Sequence, residues 1–132
     1  MELFNNLQGK KTLLIDDDEW IRDSLTLLFE SESCSLVALE TAEDGIKALT
    51  QQSYDIIIVD YRLPGMNGLE FLEWVQDSNP DAVKILITAY GNKDVISRAQ
   101  KIGVRDFIEK PFTSETIQNS LSHLIKEHKN KT

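Results

Sequence analysis

YDIIIVDYRLPGMNG, residues 54–68, is the stretch that decides the fold. Ile56 to Val59 form an apolar run with no polar interruption. A strand that loses polar alternation is one covered on both faces, as in the middle of a parallel sheet. The run ends in Asp60, and Pro64, Gly65 and Gly68 then mark a loop over 61–67. Leu69, Phe71, Leu72 and Val75 follow at helical spacing to Ser78, where Asn79 and Pro80 stop the helix. A buried strand thus leads through a polar turn into an amphipathic helix, with a carboxylate where the strand ends.

Three other apolar runs end in the same manner. TLLI (12–15) runs into Asp16 and Asp17, VKILI (83–87) into Thr88, and DFIE (106–109) into Lys110 and Pro111. With SLVALE (35–40), the expected strands are 11–16, 35–40, 54–60, 83–88 and 106–110. Between them the spacing predicts helices from Asp18 to Glu32, from the Thr41 cap to about Gln52, over 68–78, and from Asn92 to Ile102, closed by Gly103. A last helix starts at the Thr113 cap, with Thr116, Ile117, Leu121, Leu124 and Ile125 as its stripe. Residues 1–10 read as a lead-in, 11–127 as one domain and 128–132 as a polar tail. Five strands alternating with five helices predict an α/β doubly wound (βα)5 sandwich of flavodoxin-like topology. Its usual strand order is 2-1-3-4-5, with the ligand crevice at the carboxyl edge between strands 1 and 3. That order sets Asp16 and Asp17 beside Asp60, with Thr88 and then Lys110 along the same edge.

Composition excludes several classes. The chain has 132 residues and a net charge of −8, which disfavours direct contact with nucleic acid. No stretch approaches a membrane span and no signal-peptide pattern opens the sequence. A single cysteine, Cys34, rules out an internal disulfide framework and reads as a partly buried residue. The expected location is the cytoplasm. Trp20 and Trp74 read as partly buried helix residues, and His123 and His128 as surface.

Three clustered carboxylates repel one another and favour a proton or a cation. Their hard oxygens suit Mg²⁺, which is held by one or two carboxylates and bridges to phosphate. Lys110 supplies a compact positive charge for phosphoryl oxygens, Thr88 a hydroxyl donor, and a carboxylate can attack phosphorus to give an acyl phosphate. Taken singly, each residue has an ordinary account: Asp16 to Glu19 as a solvated run at a helix N-terminus, Asp60 as a turn cap, Thr88 as a β-former, Lys110 as a surface lysine. Together at one edge they form a phosphate site.

LLIDDDEWIR, DIIIVDYRLPGMNGLE, ILITAYG and DFIEKPF, in this order, resemble the four motifs of the receiver domain of bacterial two-component response regulators, the chemotaxis-regulator-like superfamily. The resemblance spans residues 11 to about 127. It implies Asp60 as phosphoacceptor, and Mg²⁺ (or Mn²⁺ in its place) on Asp16, Asp17, Asp60 and the backbone carbonyl of Arg62. It implies Lys110 as the partner of the acceptor and then of the phosphoryl group, a cis candidate at Lys110–Pro111, and Thr88 with Phe107 as the switch pair. Phe107 is equally a plain core aromatic. Asp18 aligns less well and is left outside the ligand set. Arg62 and Tyr90, each two residues beyond a key position, would flank the hydrolytic water and tune dephosphorylation.

The implied partners are a sensor histidine kinase or phosphotransfer protein as donor, and a downstream effector reached through the helix 4–strand 5–helix 5 face. Ile96, Ala99, Val104, Phe107 and Ile117 are candidates on that face. A phosphorylation-dependent homodimer is a further arrangement, and no enzymatic activity is expected beyond the domain's own phosphorylation and slow dephosphorylation. Three rivals stay open at this level. One is a Mg²⁺-dependent aspartyl phosphatase with Asp16 as nucleophile, another a phosphorylation-independent interaction module, and the third an FMN carrier, which lacks a Gly-rich phosphate loop here.

Overall fold

The structure is a computed structural model that describes residues 7–89, 91–104, 106–113 and 115–119. Its strands are β1 (Lys11–Ile15), β2 (Ser35–Leu39), β3 (Ile56–Asp60), β4 (Val83–Ala89) and β5 (Asp106–Lys110). The helices between them are α1 (Glu19–Ser31), α2 (Ala42–Gln51), α3 (Gly68–Ser78) and α4 (Lys93–Lys101). Residues 115–119 are helical and open α5. All pairings are parallel and the sheet order is β2-β1-β3-β4-β5. The doubly wound architecture and its strand order are therefore those expected from the sequence.

The unbroken apolar run of β3 serves two cores. Ile56 and Ile58 face one layer with Leu14, Ile21, Leu25, Phe29, Ile85, Ile87 and Ile117, under α1 and α5. Ile57 and Val59 face the other with Leu13, Ile15, Leu69, Phe71, Leu72, Val75 and Leu86, under α2, α3 and α4. Every residue of β3 is buried, because alternate side chains of a central strand point into opposite layers.

Capping fixes where each helix starts and hence how each loop leaves the sheet. Asp18 caps α1, its carboxylate accepting from the N–H groups of Trp20 and Ile21. Thr41 caps α2 through the Asp44 N–H, and Asn67 and Glu70 form a reciprocal capping box at α3. Thr113 Oγ1 accepts from the Thr116 N–H where α5 begins.

Two expectations are corrected. Trp20 is 69% exposed rather than partly buried, because Ile21, Leu25 and Phe29 take the inward face of α1 and leave position 20 outside. Leu7, read as lead-in, is fully packed in the core under α1. Trp74 is half-buried and stacks on Phe71, and Cys34 is buried. Among the candidates for the output face, Ala99, Val104 and Ile117 are core residues, whereas Ile96 and Phe107 are half-buried. Tyr90, Leu121, His123, Leu124, Ile125, His128 and the tail 128–132 lie outside the described residues. No helix among the described residues is long and apolar enough to cross a membrane.

Candidate phosphoryl and metal site

Parallel pairing brings the strand ends to one edge. Ile15 lies opposite Val59, Asp60 opposite Ile87, and Ala89 opposite Lys110. Asp16 follows Ile15 immediately, so it falls beside Asp60. One carboxylate oxygen from each of Asp16, Asp17 and Asp60 can be chosen so that all lie within 4.8 Å of one another. Asp16 and Asp60 are buried and Asp17 is exposed at the mouth. Lys110 Nζ stands 3.0 Å from Asp60 Oδ2 and 3.6 Å from Asp16 Oδ2. Asp18 takes no part in the cluster, being occupied as the α1 cap.

The electrostatics follow from three carboxylates facing one ammonium. Burial pushes the Asp16 carboxyl from the ordinary 3.8 up to about 6, against the opposing Asp18 N–H; the nearby Asp60 charge adds to the rise. Burial also raises Asp60, although the hydrogen bond and charge of Lys110 and the backbone N–H of Arg62 all favour its charged form. For Lys110 burial acts downward, but it is outweighed by Asp60 and Asp16, so its pKa ends above the ordinary 10.5.

Among the described residues, the buried side-chain atoms Asp16 Oδ2 and Thr88 Oγ1 have no hydrogen-bond partner. A buried polar atom without a hydrogen bond costs on the order of 1–3 kcal/mol, so Thr88 Oγ1 would gain from an acceptor brought within its reach. A hard divalent cation fits the donor set, since all donors are carboxylate oxygens and Asp16 Oδ2 accepts no hydrogen bond. The Lys110 ammonium beside Asp60 offers a counter-charge to anionic oxygens placed there.

The Lys110–Pro111 peptide bond is cis. Phe107 is half-buried and packs with the layer under α2, α3 and α4. The Arg62 side chain is exposed.

Several supporting contacts were not read from the sequence. Arg22 Nη1 donates to the Asp16 carbonyl oxygen at 2.9 Å, tying the end of β1 to α1. Gly68 packs so tightly against the Asp60 carbonyl that a Cβ there would collide with it. The Gly91 N–H donates to Glu109 Oε2 at 3.0 Å, anchoring the loop that follows Thr88 to β5. The Met66 N–H donates to Glu43 Oε2 at 3.1 Å. The Gly91–Glu109 and Met66–Glu43 contacts join residues 18 and 23 positions apart and leave no periodic trace; Gly68, between a loop and a helix, carried a local signal.

Comparison with known proteins gives the family. Residues 12–122 match the response regulator receiver domain family. Transcriptional regulatory protein FixJ of Azorhizobium caulinodans is 33% identical over 104 residues, covering 79% of this chain and 49% of that protein. The uncharacterized transcriptional regulatory protein YesN of Bacillus subtilis is 31% identical over 131 residues, covering 92% of this chain and 36% of that protein. Across such relatives the chain spans from 23% to 56% of their length. Among solved structures, a CheY-like response regulator receiver domain protein from Methanospirillum hungatei superposes with a TM-score of 0.86 at 25% identity, over 93% of this chain and 98% of the other. With the matched segment taking in every strand end of the acidic crevice, the chain belongs to the response regulator receiver domain family of two-component systems.

Proposed function

We propose that Asp60 accepts a phosphoryl group from the phosphohistidine of a sensor histidine kinase or phosphotransfer protein, and that the domain itself promotes this transfer. An Asp60 oxygen forms the new bond to phosphorus, the phosphorus–imidazole bond breaks, and the donor imidazole leaves. The observation that carries this reading is the 3.0 Å contact of Lys110 Nζ with Asp60 Oδ2 inside a cluster of three carboxylates. Asp16, Asp17, Asp60 and the Arg62 carbonyl are the proposed ligands of Mg²⁺, which Mn²⁺ can replace. Once bound, the ion offsets the negative charge that gathers on the phosphoryl oxygens. Lys110 pairs with the same oxygens, and the partnerless hydroxyl of Thr88 gains a hydrogen bond when it reaches them. That gain favours one of two conformations and supplies the switch.

The mouth of the crevice supports approach of the donor from the α1 side. Lys110 and Pro111 there border an apolar surface made by Trp20, Ile21 and Phe112. A downstream effector or a second copy of the domain would read the switch on the α4–β5–α5 face, where Ile96 and Phe107 are only half-buried. Neither Arg62 nor Tyr90 is a base for a hydrolytic water, so the phosphoryl group is long-lived; its loss within seconds in Mg²⁺ would contradict this.

Acetyl phosphate with Mg²⁺ tests the assignment. Intact mass should rise by one phosphoryl group in the wild type and in no Asp60→Asn protein. Phosphorylation surviving in Asp60→Asn but lost in Asp16→Asn would favour the aspartyl phosphatase. Unchanged NMR spectra on addition of beryllofluoride and Mg²⁺ would favour a phosphorylation-independent module.

A further inference from the structure

The loop 61–67 after the phosphoacceptor is held at both ends, and one of the holders belongs to a helix with no other part in the site. At the stem, the Tyr61 N–H donates to the Ile87 carbonyl at 2.8 Å and the Gly68 N–H to the Tyr61 carbonyl at 2.9 Å. At the tip, Glu43 in the first turn of α2 accepts the Met66 N–H at 3.1 Å through Oε2. The same oxygen is seated on the turn itself. Gly65 there has φ +75, and a Cβ on it would come within 2.7 Å of Glu43 Oε2. Arg62 lies between these two anchors. Its backbone N–H favours the charged form of Asp60, and its carbonyl is the proposed cation ligand.

We infer that Glu43 is a positioning residue for this site: its carboxylate clamps the tip of the loop and so holds the Arg62 peptide in register with the Asp60 carboxylate. This rests on the reading that the acidic cluster and the Arg62 carbonyl take a divalent cation. Glu43 is exposed, and in a first helical turn a carboxylate has an ordinary account as partner of the helix dipole. It could also act only as one more negative charge that draws cations at a distance. The clamp differs from both because it needs an acceptor atom at one place rather than a charge. A peptide carbonyl free to swing contributes less to a cation site than one held in place, since its ordering must be supplied on binding.

Two measurements on the full chain decide the matter, one without metal. In metal-free protein, amide hydrogen exchange followed by NMR should speed up in Glu43→Ala at both Met66 and Arg62. Acceleration at Met66 alone would overturn the inference, because the clamp would then not reach the residue whose carbonyl is the proposed ligand. In calorimetric titration with Mg²⁺, Glu43→Ala should bind about three- to tenfold more weakly than wild type, the effect of losing one hydrogen bond. Glu43→Gln keeps an acceptor and loses the charge, so it should stay within about twofold of wild type. Equal weakening in the Gln and Ala variants would assign the effect to distant charge and overturn the clamp, as would unchanged affinity in Glu43→Ala. Absence of Mg²⁺ binding by the wild type, or full binding by Asp17→Asn, would sink the cation reading instead, and the exchange data would still judge the clamp.

Discussion

Replacing Asp16 by Asn should stabilise the metal-free fold at neutral pH, although it removes a central residue of the proposed site. Asp16 is fully buried, with its carboxyl raised from 3.8 to about 6 chiefly by burial. Because the folded-state pKa lies above the unfolded one, this group favours folding only while it is protonated. Its stabilising contribution is present below about pH 4 and is lost as pH rises through about 6. Above that, holding the carboxylate ionised costs on the order of 3 kcal/mol. Asn keeps the Oδ1 that accepts the Asp18 N–H at 2.9 Å, so the loop entering α1 stays anchored. Its Nδ2, however, turns a donor toward Lys110 Nζ, 3.6 Å from the present Oδ2, and this returns part of the gain.

The net expectation is roughly 1–3 kcal/mol, or a urea midpoint ~0.7–2 M higher at an m of about 1.5 kcal/mol/M. Urea unfolding of both proteins in EDTA, at about pH 7 and about pH 4.5, separates this from generic effects. The difference should shrink toward zero at the acid end, where the wild-type carboxyl is protonated in the folded state. Mg²⁺ should then reverse the order at pH ~7 by stabilising only the wild type through binding. A variant no more stable than wild type at about pH 7, or a gain that does not depend on pH, would refute burial as the cause of the raised pKa.

Thr88→Val exchanges a buried hydroxyl that has no partner for a methyl of the same shape. The metal-free protein should gain about 1 kcal/mol in urea unfolding, while the beryllofluoride-induced NMR shifts of the β4–α4 loop should diminish; a loss of stability would mean that the hydroxyl is satisfied. Gly68→Ala places a Cβ against the Asp60 carbonyl oxygen and 2.9 Å from Tyr61 Cα, both backbone atoms that cannot turn aside. It should cost roughly 1–3 kcal/mol in thermal or urea unfolding and slow labelling of Asp60 by acetyl phosphate; wild-type behaviour in both assays would show that the backbone yields cheaply there.

What could be read from the chain, and what could not, divides along a physical line. The strand ends were legible because each apolar run stops at a polar residue, and a parallel sheet collects all those stops at one edge. Asp60, Asp16, Thr88 and Lys110 needed only that rule and the strand order. Glu43 was illegible: a glutamate in a first helical turn is unremarkable, and its partner lies 23 residues away on another element. Trp20 was misjudged because aromatic residues are usually covered, whereas its outward place follows from the phase of Ile21, Leu25 and Phe29. Asp16 and Asp18 bring the division to a point. They are chemically identical and two residues apart, yet one is fully buried and the other is an exposed helix cap. What separates them is the direction in which the chain leaves β1. The Asp18 carboxylate starts α1 by accepting from Trp20 and Ile21, its own N–H turns back to Asp16 Oδ1, and Arg22 from the first turn holds the Asp16 carbonyl. The third acidic residue in the row therefore acts on the site through its backbone N–H rather than its carboxylate, holding Asp16 under the sheet edge and leaving Asp17 at the mouth.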